Sequence, residues 1–200
     1  GRDLPQMKDK KKLGVYLANL LSGAADRRET EGESDAYRRE LPLDAVFTHL
    51  NGSHPGWMMP AQPQDGSLKL PQKSQPLSAA VYAEAVRTLE EQLPQLQPQP
   101  EQLGKLLGLL ETQLGCFPSS IYPGDGADIS LFDHAKTTAA IAACLSEYVQ
   151  ANHITDLRKT LFEQKNDFCR KGVFLLYTAD FSHIQKFLYT VRTENALRSL

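Results

Sequence analysis

In DKKKLGVYLANLLSGAA, residues 9–25, Leu13, Tyr16, Leu17, Leu20 and Leu21 recur at steps that place apolar side chains on one face of an α-helix. Gly23 marks the point where that helix is expected to stop. The same spacing returns in 77–93 (Leu77, Val81, Val86, Leu89) and in 101–114 (Leu103, Leu106, Leu107, Leu110, Leu114), with the proline-rich PQLQPQP of 94–100 as a stiff spacer. The clearest helix is SLFDHAKTTAAIAACLSEYVQ, 130–150. Ser130 followed three residues later by Asp133 forms a capping box. Counting from Leu131, the residues His134, Thr138, Ile141 and Leu145 share one face, so the imidazole is expected to point inward, and the alanine-rich centre lets a second helix approach closely.

A different pattern closes the chain. Residues 174–178 (FLLYT) are apolar or β-favouring at every position, as in a strand buried on both faces, and the polar, helix-competent DFSHIQK follows. Such a strand needs a partner, because a lone strand leaves its backbone donors and acceptors unpaired. Only 44–50 (DAVFTHL) offers a short, ambiguous candidate. The expectation is therefore a chain whose sheet is completed by further sequence.

Between these elements, 26–40 is dense in charge of both signs and reads as a solvated face. Residues 51–76 are rich in Pro, Gly, Gln and Ser and read as a loop or linker, because proline removes backbone donors and breaks helices. There is no internal repeat.

The 200 residues are 41% hydrophobic and 23% charged, with a formal net charge of -2, which places them in the globular class with enough apolar material for a core. A near-neutral charge carries no basic footprint, although 8–12, Arg27-Arg28 and Arg38-Arg39 are local basic patches. Cys116, Cys144 and Cys169 are three, far apart and without C-x-x-C spacing, so neither a disulfide framework nor a zinc knuckle is indicated. They are expected to be reduced and buried, as in a cytoplasmic protein. No apolar run reaches membrane-spanning length, so no membrane partner is expected.

Four stretches, in order, carry a family resemblance: YLANLLSGAADRRE from Tyr16, CFPSS from Cys116, ADISLFDHAKTTAAIAACL from Ala127 and FLLYTADFSHIQKFLYTV from Phe174. Together they resemble the large signature subunit of type III CRISPR effector complexes, most closely the III-A form. The resemblance implies a mainly α fold. Residues 1–170 would be the C-terminal part of a circularly permuted HD-like helical domain, with the Pro/Gln-rich loop at 51–76. Residues 171–200 would be the first strand and helix of a ferredoxin-like α+β palm, whose further strands would pair with 174–178.

The resemblance also implies chemistry. The family makes cyclic oligoadenylates from ATP and can cleave single-stranded DNA, and the whole protein would use a divalent metal ion and ATP. An HD-type phosphohydrolase needs paired imidazoles and carboxylates to hold hard cations and generate hydroxide. His134 matches a metal-ligating histidine of the family. The His-Asp pair would lie before residue 1, and Asn19 stands where the family has aspartate. In the palm element, written here Asp180-Phe181-Ser182-His183-Ile184-Gln185, the residues Asp180, Ser182 and Gln185 are the nucleotide-binding candidates. A hydroxyl beside helix N-terminal amides suits phosphate or ribose. His183 replaces the usual glycine, which puts a side chain at a tight turn. The palm's Gly-Gly-Asp-Asp turn is absent from this sequence, and no catalytic residue is assigned.

The reading that follows is a catalytically incomplete segment of an RNA-guided antiviral effector. Its partners would be other CRISPR effector subunits, guide RNA and target RNA through the complex, and ATP. Two alternatives stand beside it: a free-standing HD-type metal-dependent phosphohydrolase, and a catalytically silent helical interaction scaffold. His49, His54, His153 and His183 form no metal-ligand spacing.

Overall fold

Two long helices carry the architecture in this computed structural model, which describes residues 10–26, 39–46, 56–61, 70–96, 99–121 and 127–178. Helix α1 (Lys10–Asp26) and helix α4 (Leu131–Ala151), far apart in sequence, pack face to face. Their seam holds Leu17 and Ala18, both fully buried, with Leu145 from α4. Small side chains at the seam, Ala18 and Ala142, let the backbones come close, and the larger Leu21, Ile141 and Tyr148 close around them. Each leucine taken fully out of water there contributes about 1.5–3 kcal/mol.

The first apolar face is only partly as its spacing predicted. Leu17 is central, but Leu20 turns to solvent. Gly23 does not end the helix, which continues to Asp26. A Cβ placed on Gly23 would stand 4.0 Å from His134 Cε1, an ordinary contact, so α4 supports this turn of α1 against fraying.

Ser130 caps α4 as the sequence indicates: its Oγ accepts from the Asp133 backbone N–H at 3.0 Å and donates to Asp133 Oδ2 at 2.7 Å. At the other end His153 takes φ 51, with its N–H on the Gln150 carbonyl (3.2 Å) and that of Ile154 on the Val149 carbonyl (3.0 Å). This is a Schellman closure with histidine at the left-handed position. It turns the chain back so that Leu157, Leu161 and Phe168 complete the α1–α4 core. Leu161 lies in a π-helical turn (Lys159–Glu163) that leads into the short helix α5 (Lys165–Cys169).

A second, smaller core gathers Met58, Leu77, Ala85 and Phe117. Val81, Tyr82 and Ala85 of α2 (Ala79–Gln92) meet Phe117, which follows α3 (Leu103–Leu114), and Tyr82 stacks on Phe117 at a centroid distance of 4.6 Å. Leu131, at the start of α4, packs on this core, so α4 joins the two. Short 3-10 turns, Leu93–Gln95 and Pro100–Gln102, lie at the two ends of the proline-rich spacer.

The stretch 51–76 is more than a linker. Within it, β1 (Trp57–Met58) pairs antiparallel with β2 (Gln72–Lys73), Trp57 opposite Lys73, and Asp44 forms an isolated bridge to Met58. Met58 is the reason this ribbon forms: its side chain is almost fully buried in the second core, which anchors residues whose composition alone reads as loop.

The expected strand at 174–178 has no ladder partner among the described residues, and the chain there is bent or irregular. Val173 still packs against the first core, but Leu175, Leu176 and Tyr177 are 86%, 89% and 78% exposed. The cysteines divide in the same way. Cys116 is buried as expected, whereas Cys144 and Cys169 are exposed, because they sit on the outer faces of α4 and α5; none of the three forms a disulfide among the described residues. No described helix is long and apolar enough to cross a membrane.

Candidate functional site

The α1–α4 seam changes character at its upper end, where polar side chains replace the leucines. Asn19 and Ser22 lie one turn apart on α1, and His134 and Thr138 one turn apart on α4. His134 belongs to the first turn and a half of α4, and its backbone N–H bonds the Ser130 carbonyl at 3.0 Å, so the same cap that starts the helix sets the imidazole's position.

His134 is half-buried and faces α1, as its place in the apolar spacing predicted. Its Nε2 lies 2.9 Å from Asn19 Oδ1. An amide oxygen can only accept, so in this arrangement Nε2 carries the proton and donates it. The other ring nitrogen, Nδ1, stands 3.3 Å from Ser22 Oγ, which also reaches the His134 carbonyl oxygen at 3.3 Å. Ser22 is fully buried. One turn further, Thr138 Oγ1 is buried without a hydrogen-bond partner among the described residues.

Two positions singled out separately in the sequence, Asn19 and His134, are therefore brought into direct contact across 115 residues. Ser22 was not foreseen. Its only signal is its place three residues after Asn19, which a helix turns to the same face. Asp133 points elsewhere, into its capping interaction with Ser130. No group of three His, Cys, Asp or Glu side chains able to hold a metal ion occurs among the described residues. Asp180, Ser182 and Gln185 lie outside the described residues.

A hollow of about 680 Å³, lined by Arg39, Glu40, Leu77, Ser78, Tyr82 and Ile121 among others, opens on the α2 side of the molecule. Burial raises the Tyr82 phenol above its ordinary value near 10.0, and its hydroxyl has no hydrogen-bond partner among the described residues. None of the seam residues lines this hollow, so it is separate from His134.

No family model matches the chain. Relatives, however, align along nearly all of it. One is the CRISPR system single-strand-specific deoxyribonuclease Cas10/Csm1 (subtype III-A) of Mycobacterium tuberculosis, 29% identical over 194 residues, which covers 93% of this chain and 24% of the relative. The chain is a Cas10/Csm1 homologue. The protein of the same description from Enterococcus italicus is 28% identical over 199 residues, with 93% and 26% covered. That from Thermococcus onnurineus is 33% identical over 196 residues, with 93% and 21% covered. The chain thus spans about a quarter of the length of the curated Cas10/Csm1 relatives it matches. At 93% coverage the matched span reaches both the α1–α4 seam and residues 174–178, whichever end the unmatched residues occupy.

Proposed function

We propose that this chain is a segment of the large subunit of an RNA-guided type III-A CRISPR antiviral effector, acting in the cytoplasm with other effector subunits, guide RNA and target RNA. Residues 1–170 are read as the C-terminal part of a permuted HD-like helical domain and 171–200 as the start of the first palm. The observation that carries this reading is the match to Cas10/Csm1 relatives across both parts at once. The exposed apolar run 174–177 supports it, since such a run suits a strand that is covered by a larger sheet.

On this reading ATP and divalent ions belong to the whole protein's chemistry, cyclic oligoadenylate synthesis and cleavage of single-stranded DNA. Asp180, Ser182 and Gln185 would contact nucleotide from the palm. The seam alone provides one imidazole, one amide and two hydroxyls, so these 200 residues are read as an incomplete catalytic unit that acts by positioning.

The test is affinity purification of the intact protein from its native host. Other effector subunits and a guide RNA of defined length should co-purify; a protein recovered alone and free of RNA would overturn the proposal. In the assembled complex Ser182→Ala should lower oligoadenylate synthesis from ATP while assembly is retained.

A further inference from the structure

The kinship of this chain leads to the expectation of a metal ion at His134, and the seam is where that expectation meets geometry. A metal-bound histidine gives one ring nitrogen's lone pair to the ion, at about 2.0–2.1 Å for zinc, and donates the other N–H to an outer acceptor. Here Nε2 is 2.9 Å from Asn19 Oδ1 and Nδ1 is 3.3 Å from Ser22 Oγ. Turning the Asn19 amide over exchanges the roles: Nδ2–H donates to Nε2, and the ring proton moves to Nδ1, where Ser22 Oγ accepts it while donating to the His134 carbonyl. Either way the imidazole satisfies both nitrogens with protein groups.

Distance alone does not separate the two cases, because two ligands of one ion also stand about 3 Å apart when each bond is about 2.1 Å long. Charge and donor count do. Asn19, Ser22, His134 and Thr138 are all neutral as ligands, and Asp133 is held by Ser130 on the capping side of α4. No trio of ligating side chains exists among the described residues. A divalent ion at such a neutral set of side chains gains no carboxylate to balance its charge, and hard cations are held by carboxylates.

We infer that Asn19 and His134 form a neutral hydrogen-bonded tie between α1 and α4 in place of a metal centre, with Ser22 holding the second ring nitrogen. The inference uses the family reading only for the expectation of an ion. The tie itself rests on the distances, and it departs from the deoxyribonuclease named for the relatives.

The experiment uses the intact protein in two measurements. Equilibrium dialysis against Mn²⁺ compares wild type with His134→Gln, whose amide can still bond Asn19 but cannot replace an imidazole ligand; the number of ions bound per chain should be the same. Hydrogen exchange in EDTA compares wild type with Asn19→Leu, and the amides of α1 should exchange roughly two- to tenfold faster, because the hydrogen bond that ties α1 to α4 at this point is lost. Loss of one Mn²⁺ per chain in His134→Gln would overturn the inference, and so would unchanged α1 exchange in Asn19→Leu. Neither readout depends on RNA or subunit co-purification, so the two proposals fail separately.

Discussion

Ser130 shows how much a single hydroxyl can organise. It is 6% exposed, caps α4 through Asp133, and bridges back to Pro118, so it fixes both the helix start and the loop that delivers it. Ser130→Ala should therefore cost about 1–2 kcal/mol, the upper part of the capping range, read as a lower denaturant midpoint at unchanged slope. Tyr82 is the opposite case. Its ring stacks on Phe117, but its buried hydroxyl finds no partner among the described residues. Tyr82→Phe keeps the stack and removes the unsatisfied group, so it should be neutral or stabilising by up to about 1 kcal/mol in the same measurement. The sign of the pH effect follows from the raised phenol pKa. The native state holds the proton more tightly than the unfolded chain, so the contribution is complete below pH 10.0 and is lost as pH rises through the native value. In Tyr82→Phe that alkaline loss should shrink.

At the scale of elements, α4 was legible because three independent signals agree: a capping box, a spacing of three and four, and alanine at the centre. Its C-terminal closure was not, because His153 occupies a left-handed position that glycine usually fills. His153→Gly should relieve that strain and stabilise the chain by about 1 kcal/mol, seen as a rise of about 2–4 °C in melting temperature for a chain of this size. The β1–β2 ribbon escaped the sequence for a related reason. Two-residue strands among prolines have no periodicity to read, and they persist because Met58 is buried between distant segments. On α2, Arg87 bridges Glu84 at 2.6 Å and Glu91 at 2.6 Å. The guanidinium's hydrogen bond holds the Glu84 carboxyl below its ordinary range, yet these groups are exposed and the pairs serve mainly to keep the helix surface solvated.

Across the whole molecule, protection should fall off sharply at residue 174. The α1–α4 seam carries the fully buried leucines, whereas Leu175, Leu176 and Tyr177 have neither a core nor a ladder among the described residues. Hydrogen exchange on the 1–200 chain should show slow amides in α4 and fast amides at 174–178, and the latter should slow in the intact protein if further strands cover them. Strong protection of 174–178 in the monomeric 1–200 chain would place a partner strand within these residues.

The sequence by itself determined the helices, since 3.6-residue periodicity and capping are local properties that each segment writes independently. It also carried the kinship with the type III large subunit, through ordered motifs that local chemistry preserves. Which helices meet was decided only in three dimensions. Leu17 and Leu145 are equally apolar to the eye as Leu20, yet the first two are buried and the third faces water, because burial depends on what packs opposite. The candidate site divides in the same way. Asn19 and His134 were each visible as residues of interest, but their contact spans 115 positions, and Ser22 gained a role only when α4 was laid against α1. Local spacing sets which face a side chain occupies; the partner on that face is chosen by close packing of segments distant in sequence.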